Sequence, residues 1–246
     1  MNKKMFVSFV TAGDPSMEAT KGFIEALSKH SDIVEVGLPF SDPVADGAAI
    51  QKANIRALEN GATTDSMFDM LEAVEFGGKA ILCYVNSVFV YGYEKFFERC
   101  ERARVYGVII PDLPYEERDE VLPFAKKHNV HLITLIAPTS KRRIAKLAKD
   151  ATGFIYLVSS LGSTGARTSE FSGDLEGITA EIRKVTDIPI CIGFGISTRE
   201  QVEKMSSIAD GVIVGSGFVK IIEEHAENSV EKLENYIKIL KGEKDV

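Results

Sequence analysis

Three carboxylates lie close together early in the sequence, in a stretch that begins as a buried strand. Glu35 interrupts the apolar run Ile33–Gly37, and Asp42 and Asp46 follow in a loop broken by proline and glycine. Burial raises the pKa of a carboxyl group toward neutrality because the charged form loses its hydration. A glutamate in that state can both give and take a proton near pH 7. Glu35 is therefore a candidate general acid–base catalyst.

Each of the three carboxylates also has an ordinary structural interpretation. Asp46 stands just before a helix expected from Gly47–Ala48 onward, and the residues alone favour a helix N-cap role for it. Asp42 precedes a proline in "FSDP", where aspartate commonly fixes a turn. A salt bridge is the ordinary interpretation of Glu35. Its apolar neighbours and its place at the end of a strand favour the catalytic one.

Glycines follow two later apolar runs in a pattern typical of phosphate binding. Gly193 and Gly195 stand in "CIGFGIST", and Gly215 and Ser216 stand in "VIVGSGFV". Glycine lets backbone N–H groups approach an anion closely, and the loops after strands seven and eight of an α/β barrel commonly bind phosphate. The sequence therefore predicts a phosphate site. Another segment of small residues, 159–171, suits either a lid over the substrate or an ordinary surface loop.

Other catalytic groups are missing from the predicted strand ends. No histidine or lysine stands there, which speaks against a histidine-ligated metal, a catalytic histidine and a Schiff-base lysine. The three cysteines, Cys83, Cys100 and Cys191, are interpreted as core residues. What remains is proton transfer by carboxylates and tyrosines beside a phosphate. Such a site breaks a C–C bond only where the substrate supplies its own electron sink.

Eight apolar runs have to position these residues. Each run is continuous, as a parallel sheet covered on both faces requires, and helical patterns separate the runs. The 246 residues thus predict a single (β/α)8 TIM barrel over residues 1–246, with Glu35 pointing into its upper end. A doubly wound open sheet is the alternative. The predicted strands are Met5–Val10, Ile33–Gly37, Ala80–Tyr84, Gly107–Ile110, His131–Ile136, Phe154–Val158, Ile190–Phe194 and Gly211–Val214. The predicted helices are Met17–Lys29, Ala48–Leu58, Asp65–Val74, Tyr91–Arg104, Glu116–His128, Ser140–Lys149, Leu175–Val185, Thr198–Ser206 and Val230–Leu240.

Charge and hydropathy narrow the classes of partner. The net charge is −7 without a long basic run, which speaks against nucleic acid or an anionic membrane surface. No apolar run reaches the roughly 18 residues of a transmembrane helix, and the first residues do not resemble a signal peptide. We therefore expect a cytoplasmic protein. A small phosphate ligand remains compatible with the charge because backbone N–H groups can hold it.

The stretch "EVGLPFSDPVADGAAIQ" resembles the pattern E-L-G-x-P-F-S-D-P-x-A-D-G-P-x-I-Q of the tryptophan synthase alpha chain family. The resemblance continues, in order along nearly the whole chain, through "FVTAGDP", "YVNSVFVYG", "PDLPYEE", "IYLVSSLGSTGAR", "GFGIS" and "VGSGFV". It implies a lyase of tryptophan biosynthesis that cleaves indole-3-glycerol phosphate to indole and glyceraldehyde 3-phosphate by a retro-aldol reaction. Protonation of the indole ring at C3 would supply the electron sink.

The resemblance also implies roles for individual residues. Glu35 matches the general acid–base of the family. Asp46 matches a second catalytic carboxylate that pairs with the indole N–H, which reverses the N-cap interpretation. Tyr156 matches a tyrosine near the reacting centre. The matched substrate-binding positions are Phe9, Leu82 and Tyr84 around the indole, Gly165, Gly193, Gly195, Gly215 and Ser216 around the phosphate, and Thr164 in the lid. No metal is implied.

By the same resemblance, the chain is expected to work in an α2β2 heterotetramer. The beta chain would carry pyridoxal phosphate, and this chain would hold no cofactor. Residues 39–60, residues 84–92 and the lid are expected to face that partner.

The chain departs from the family pattern at three places. Ala48 replaces a proline, which is expected to leave the partner-facing loop less rigid. The lid segment 160–165 lacks the arginine of the family, and the first strand starts so early that a helix on the barrel floor is short or absent.

Two other functions stay open. One is another barrel enzyme, such as an indole-glycerol-phosphate synthase, which would need a barrel lysine, or a phosphoribosyl isomerase. The other is a non-catalytic subunit that activates a partner.

Overall fold

The computed structural model describes residues 4–140, 142–159 and 174–243. These residues form nine strands and eleven α-helices that alternate along most of the chain. The strands are β1 Met5–Thr11, β2 Ile33–Gly37, β3 Lys79–Leu82, β4 Val105–Ile109, β5 His131–Leu132, β6 Thr134–Ile136, β7 Ile155–Val158, β8 Ile190–Gly193 and β9 Gly211–Val214. The helices are α1 Met17–Ser28, α2 Ala48–Glu59, α3 Thr64–Glu72, α4 Val85–Tyr91, α5 Tyr93–Arg102, α6 Leu122–Lys127, α7 Ile144–Lys149, α8 Leu175–Arg183, α9 Arg199–Ile208, α10 Ser216–His225 and α11 Val230–Lys241.

The strands form one parallel sheet in the order β5-β4-β3-β2-β1-β9-β8-β7-β6. The two ends of this order, β5 and β6, are halves of the single strand predicted at His131–Ile136. β5 pairs with β4, β6 pairs with β7, and the N–H of Ile133 between them donates to the carbonyl of Val108 at 2.9 Å. The sheet is thus a nearly closed barrel. The predicted TIM barrel is confirmed, and the doubly wound alternative is wrong.

Side-chain alternation along the strands separates an inner core from an outer one. Val34 and Val36 of β2 belong to the outer core between strands and helices, whereas Ile33 belongs to the cluster that fills the barrel. Because successive strand residues point to opposite faces, Glu35 shares the inner face with Ile33. The inward direction predicted for Glu35 is therefore the one observed.

Two helices were missed by the sequence prediction. The predicted third strand runs to Tyr84, but β3 ends at Leu82 and Tyr84 is the N-cap residue of α4. α4 ("VNSVFVY") has only two polar residues, Asn86 and Ser87, and they are adjacent, so its pattern has no polar stripe of helical period that marks a helix. α10 begins with the turn-like pair Ser216–Gly217, which concealed its start. Helices α6 and α7, with six residues each, are much shorter than predicted.

A buried lysine ties α3 to the sheet. The side chain of Lys79, at the start of β3, is buried. Its Nζ donates to the carbonyl of Leu71 at 2.8 Å and also to the carbonyl of Val74, both at the C-terminal end of α3. A cation is favourable at a helix C-terminus. The Leu71 carbonyl also accepts the N–H of Val74 at 3.3 Å, so Lys79 adds a second donor there.

We expect the substitution Lys79→Met to lower the free energy of unfolding by about 1–3 kcal/mol, because it removes the buried ammonium donor from the carbonyls of Leu71 and Val74 at nearly constant volume. Urea unfolding measures this change. Lys52→Met on α2, where the lysine side chain is 65% exposed, is the control and should stay within about 0.5 kcal/mol of the parent. An equal or higher stability of Lys79→Met would show that the cost of burying the ammonium outweighs its hydrogen bonds.

Across the part of the chain that the structure describes, no helix is both long and apolar enough to cross a membrane. Cys83, Cys100 and Cys191 are buried free thiols, as the core interpretation requires.

Candidate active site

A cavity at the carboxyl ends of the strands brings most of the predicted site residues together. Eight of them line it: Phe9, Glu35, Asp46, Leu82, Tyr156, Gly195, Gly215 and Ser216. These residues come from six strands or the loops that follow them, which is where a TIM barrel carries its active site. Ile50, Phe194 and Ile213 complete the lining.

Glu35 is buried on the inner face of β2 at this cavity. Its Oε2 has no hydrogen-bond partner among the described residues. Burial, and to a lesser degree the negative charge of Asp46, raises the pKa of the Glu35 carboxyl to about 8. The group is therefore a neutral acid at pH 7, with an oxygen available to a substrate.

Asp46 is also buried, in the loop that leads into α2. The N-cap of α2 is Gly47, with no side-chain hydrogen bond, so the N-cap interpretation of Asp46 is wrong. The carboxylate instead accepts a hydrogen bond from Asn54 Nδ2 at 3.2 Å. Burial raises the pKa of Asp46 to about 6, while hydrogen bonds from Asn54 and Tyr84 oppose that rise. Asp46 is thus mostly ionised at pH 7, when Glu35 is mostly protonated.

Tyr84 lies behind Asp46 and supports its loop. The Tyr84 hydroxyl accepts a hydrogen bond from the N–H of Ala45 at 3.0 Å, and its ring stacks on Phe40 at a centroid distance of 5.1 Å. The next residue, Val85, donates its N–H to Oδ1 of Asp112 at 2.9 Å. The loops after β2, β3 and β4 are therefore linked through this tyrosine and its neighbour.

Of the glycines predicted to bind phosphate, Gly195 and Gly215 line the same cavity as the two carboxylates. Phe194 and Gly195 have successive left-handed φ angles of 73° and 80°, a backbone form that is costly for phenylalanine and typical of functional sites. α10 begins at Ser216, and its N-cap, Gly215, offers no side-chain hydrogen bond. The free N–H groups and dipole of a helix N-terminus attract anions. The arrangement can hold a phosphate.

Gly193 has a different neighbour from the other glycines. A Cβ atom on Gly193 would lie 2.7 Å from both Cε1 and Oη of Tyr156, so the absence of a side chain makes room for that ring. Tyr156 also meets Phe194 edge-on, with ring centroids 5.6 Å apart. Burial raises the pKa of Tyr156 well above its usual value, so its hydroxyl stays protonated.

Two predicted site residues, Thr164 and Gly165, and the rest of the proposed lid at 160–171 lie outside the described residues. Conversely, sequence reasoning missed Ile50 and Asn54, which lie on α2. They follow Asp46 by four and eight residues, a spacing that places them on one helix face. This spacing from Asp46 could have identified both residues from the sequence. Within residues 4–140, 142–159 and 174–243, no group of three or more His, Cys, Asp or Glu side chains is arranged to hold a metal ion.

Comparison with known proteins identifies one family. The family model described as "Tryptophan synthase alpha chain" matches residues 1–245. The tryptophan synthase alpha chain of Lacticaseibacillus casei is 47% identical over 241 residues, which cover 96% of this chain and 90% of that one. The tryptophan synthase subunit alpha from Campylobacter jejuni has a TM-score of 0.85 at 34% identity and 96% coverage of both chains. A chain of the tryptophan synthase α2β2 complex from the hyperthermophile Pyrococcus furiosus has a TM-score of 0.88 at 30% identity, covering 98% of this chain and 100% of that one.

Proposed function

The chain belongs to the tryptophan synthase alpha chain family, and we propose that two carboxylates carry out its half-reaction, the cleavage of indole-3-glycerol phosphate, by a retro-aldol mechanism. The family membership makes it a lyase of tryptophan biosynthesis. One observation supports the mechanism: Glu35 and Asp46 line a single cavity together with Gly195, Gly215 and Ser216. A proton donor, an ionised carboxylate and a candidate anion site thus share one cavity.

Glu35 is the group that moves protons. As a neutral acid it donates its proton to C3 of the indole ring, which leaves a cationic, iminium-like ring. The bond between C3 and the glycerol carbon then breaks, and its electron pair restores the aromatic ring. The carboxylate of Glu35 accepts the proton of the adjacent glycerol hydroxyl as the aldehyde forms. The catalyst returns to its starting state, and a pKa near the working pH suits both transfers.

Asp46 is the group that stabilises charge. Protonation at C3 places positive charge on the indole nitrogen, and an ionised carboxylate that accepts the indole N–H lowers the energy of that state. The burial of Asp46 makes this interaction stronger than it would be in water. The hydrogen bond from Asn54 fixes the carboxylate before substrate arrives.

The pH dependence of indole release from indole-3-glycerol phosphate tests these roles together. The rate should rise with pH as Asp46 ionises near 6 and fall as Glu35 loses its proton near 8, so kcat/KM follows a bell-shaped profile between those values. Because Glu35 and Asp46 interact, the two apparent pKa values of the profile are properties of the coupled pair of carboxyl groups. A profile flat from pH 5 to 9, or no indole at any pH, would contradict the proposed chemistry.

We also propose that the chain assembles with a beta chain in an α2β2 complex, as in the Pyrococcus furiosus structure. Five large apolar side chains in residues 39–60 and 84–92, two of the segments expected to face that partner, are exposed: Val44 (79%), Ile55 (56%), Leu58 (38%), Phe89 (64%) and Val90 (75%). Neighbouring exposed apolar side chains commonly mark an interaction site. The pyridoxal phosphate of such a complex would belong to the beta chain.

A further inference from the structure

A second cavity lies on the outer wall of the barrel, between α6 and α7. Its volume is about 210 Å³, and it shares no lining residue with the Glu35 cavity. Leu122 of α6, Leu132 of β5 and Leu147 of α7 line it, together with Ile110 and Leu113 after β4. These side chains form an apolar wall of the cavity, and Thr134, Ser140 and Thr152 add hydroxyl groups to its lining.

The cavity exists because the helices there are short. α6 and α7 have six residues each, too few to cover the outer face of the strand that lies between them. Leu132 and Thr134, on the outer face of β5 and β6, are consequently only half-buried. Their register partners on the adjacent strands, Val108 and Ile155, are fully buried. The opening is thus a local gap in the helical cover of the barrel wall.

The mouth of the cavity carries charged groups. The Arg118 guanidinium stacks over the ring of Tyr115 at 4.1 Å, and its Nη2 contacts Oδ2 of Asp150 at 3.0 Å. Nη2 of Arg143 contacts both carboxylate oxygens of Glu116 at 2.7 Å. Lining the cavity are two guanidinium groups and one carboxylate, that of Asp150.

Both guanidinium groups keep hydrogen-bonding capacity. Each has five N–H donors. Among the described residues, the side-chain hydrogen bonds of Arg118 and Arg143 use Nη2 alone, which leaves Nε and Nη1 of each. Arginine binds carboxylates through two parallel N–H groups, a geometry that Nε and one Nη provide.

We propose that this outer cavity is a ligand site for a small carboxylate with an apolar body of about one aromatic ring. The apolar body packs against Leu122, Leu132 and Leu147, and the carboxylate meets Arg118 and Arg143 at the mouth. A concave site that combines apolar side chains with a few convergent polar groups is typical of small-molecule binding. The site is independent of the chemistry at Glu35.

Titration with 3-phenylpropanoate, followed by calorimetry and by NMR of the intact chain, tests the charge preference. Saturable binding is expected with a dissociation constant on the order of 1 mM, as ligands of this size usually reach. The uncharged 3-phenylpropanamide should bind at least tenfold more weakly, and 3-phenylpropylamine weaker still. Equal binding of all three, or no saturation by the carboxylate up to 20-fold that concentration, would overturn the proposal.

Two pairs of variants locate the site. Arg143→Gln should weaken binding of 3-phenylpropanoate at least tenfold, whereas Arg104→Gln, an exposed and remote change, should leave it unaltered. Leu132→Trp should fill the cavity and abolish binding, with Val185→Trp at an exposed position as its control. Unaltered binding in Arg143→Gln, or displacement of the probe by indole-3-glycerol phosphate, would place the ligand elsewhere and overturn the proposal. Thermal unfolding checks that Leu132→Trp folds. If Leu132→Trp does not fold, the binding measured with Arg143→Gln decides the test.

Discussion

Replacing Glu35 by glutamine is expected to lower kcat for indole release by at least about 10³-fold, because one group then loses both its acid and its base function. The amide is nearly the same size and still fits among the apolar neighbours of β2, but it can neither protonate C3 of the indole nor accept the hydroxyl proton. Binding of glyceraldehyde 3-phosphate, which is expected to depend on the glycine loops after β8 and β9, should change little. Single-turnover release of indole and equilibrium binding of that product measure the two quantities separately.

Stability offers an independent check on the same variant. The Glu35 pKa rises from 4.5 to about 8 on folding. Between these values the unfolded chain releases a proton that the folded chain keeps, so the native state loses stability as pH rises from 4.5 toward 8. Glutamine removes this loss, and the variant should gain about 3 kcal/mol over the parent at pH 7 relative to pH 4.

Glu59→Gln, the same change at an exposed position on α2, is the control and should show neither effect. Parent-like turnover in Glu35→Gln would exclude the acid–base role. A loss of turnover together with unfolding would leave the variant uninformative about chemistry, and the expected gain in stability argues against that result.

Some features of this site can be predicted from local sequence patterns, whereas others depend on tertiary packing. Glu35 could be placed correctly because strand alternation is local: two valines on one face put the glutamate on the other. The glycine loops could be placed because their position after β8 and β9 follows from strand order. Both features need only the period of a strand and the topology of the barrel.

Asp46 shows where local reasoning fails. Its position just ahead of a helix favours capping, but the side chain turns into the barrel, where Asn54 donates to it from two turns along α2. Gly47 takes the N-cap position without a side chain. The choice between these arrangements is tertiary, because it depends on where the inner face of α2 meets the cavity. The resemblance to the family predicts a catalytic role for Asp46, whereas helix propensity alone predicts a cap.

The interrupted fifth strand could not be predicted for a related reason. His131–Ile136 reads as one apolar run, and the break at Ile133 arises because its two halves pair with different neighbours on a curved sheet. The lengths of α6 and α7 depend on how much of the outer face of that strand the helices must cover. The gap between α6 and α7, and the cavity within it, result from tertiary packing and cannot be predicted from a local sequence pattern.

The replacement of Asp46 by asparagine is expected to reduce kcat by about 10²–10³-fold, the usual effect of removing one electrostatic stabiliser of a transition state. The amide oxygen can still accept from Asn54, so the loop and α2 should keep their positions. What disappears is the negative charge beside the indole nitrogen. The loss should therefore fall on kcat more than on KM, since positive charge develops on the ring only as the reaction proceeds. The low-pH limb of the rate profile near 6, assigned to Asp46, should vanish in the same variant.

Asp42→Asn is the matched control, because Asp42 belongs to the same loop but is exposed. It should retain the activity and the pH profile of the parent. If Asp46→Asn instead lost several kcal/mol of stability while the folded fraction turned over normally, Asp46 would be a structural residue of the loop and the charge-stabilising role would fail. Persistence of the limb near pH 6 would likewise assign that ionisation to another group. The two carboxylates thus make separable predictions: Glu35 governs the alkaline limb and both proton transfers, and Asp46 governs the acid limb and the charge on the ring.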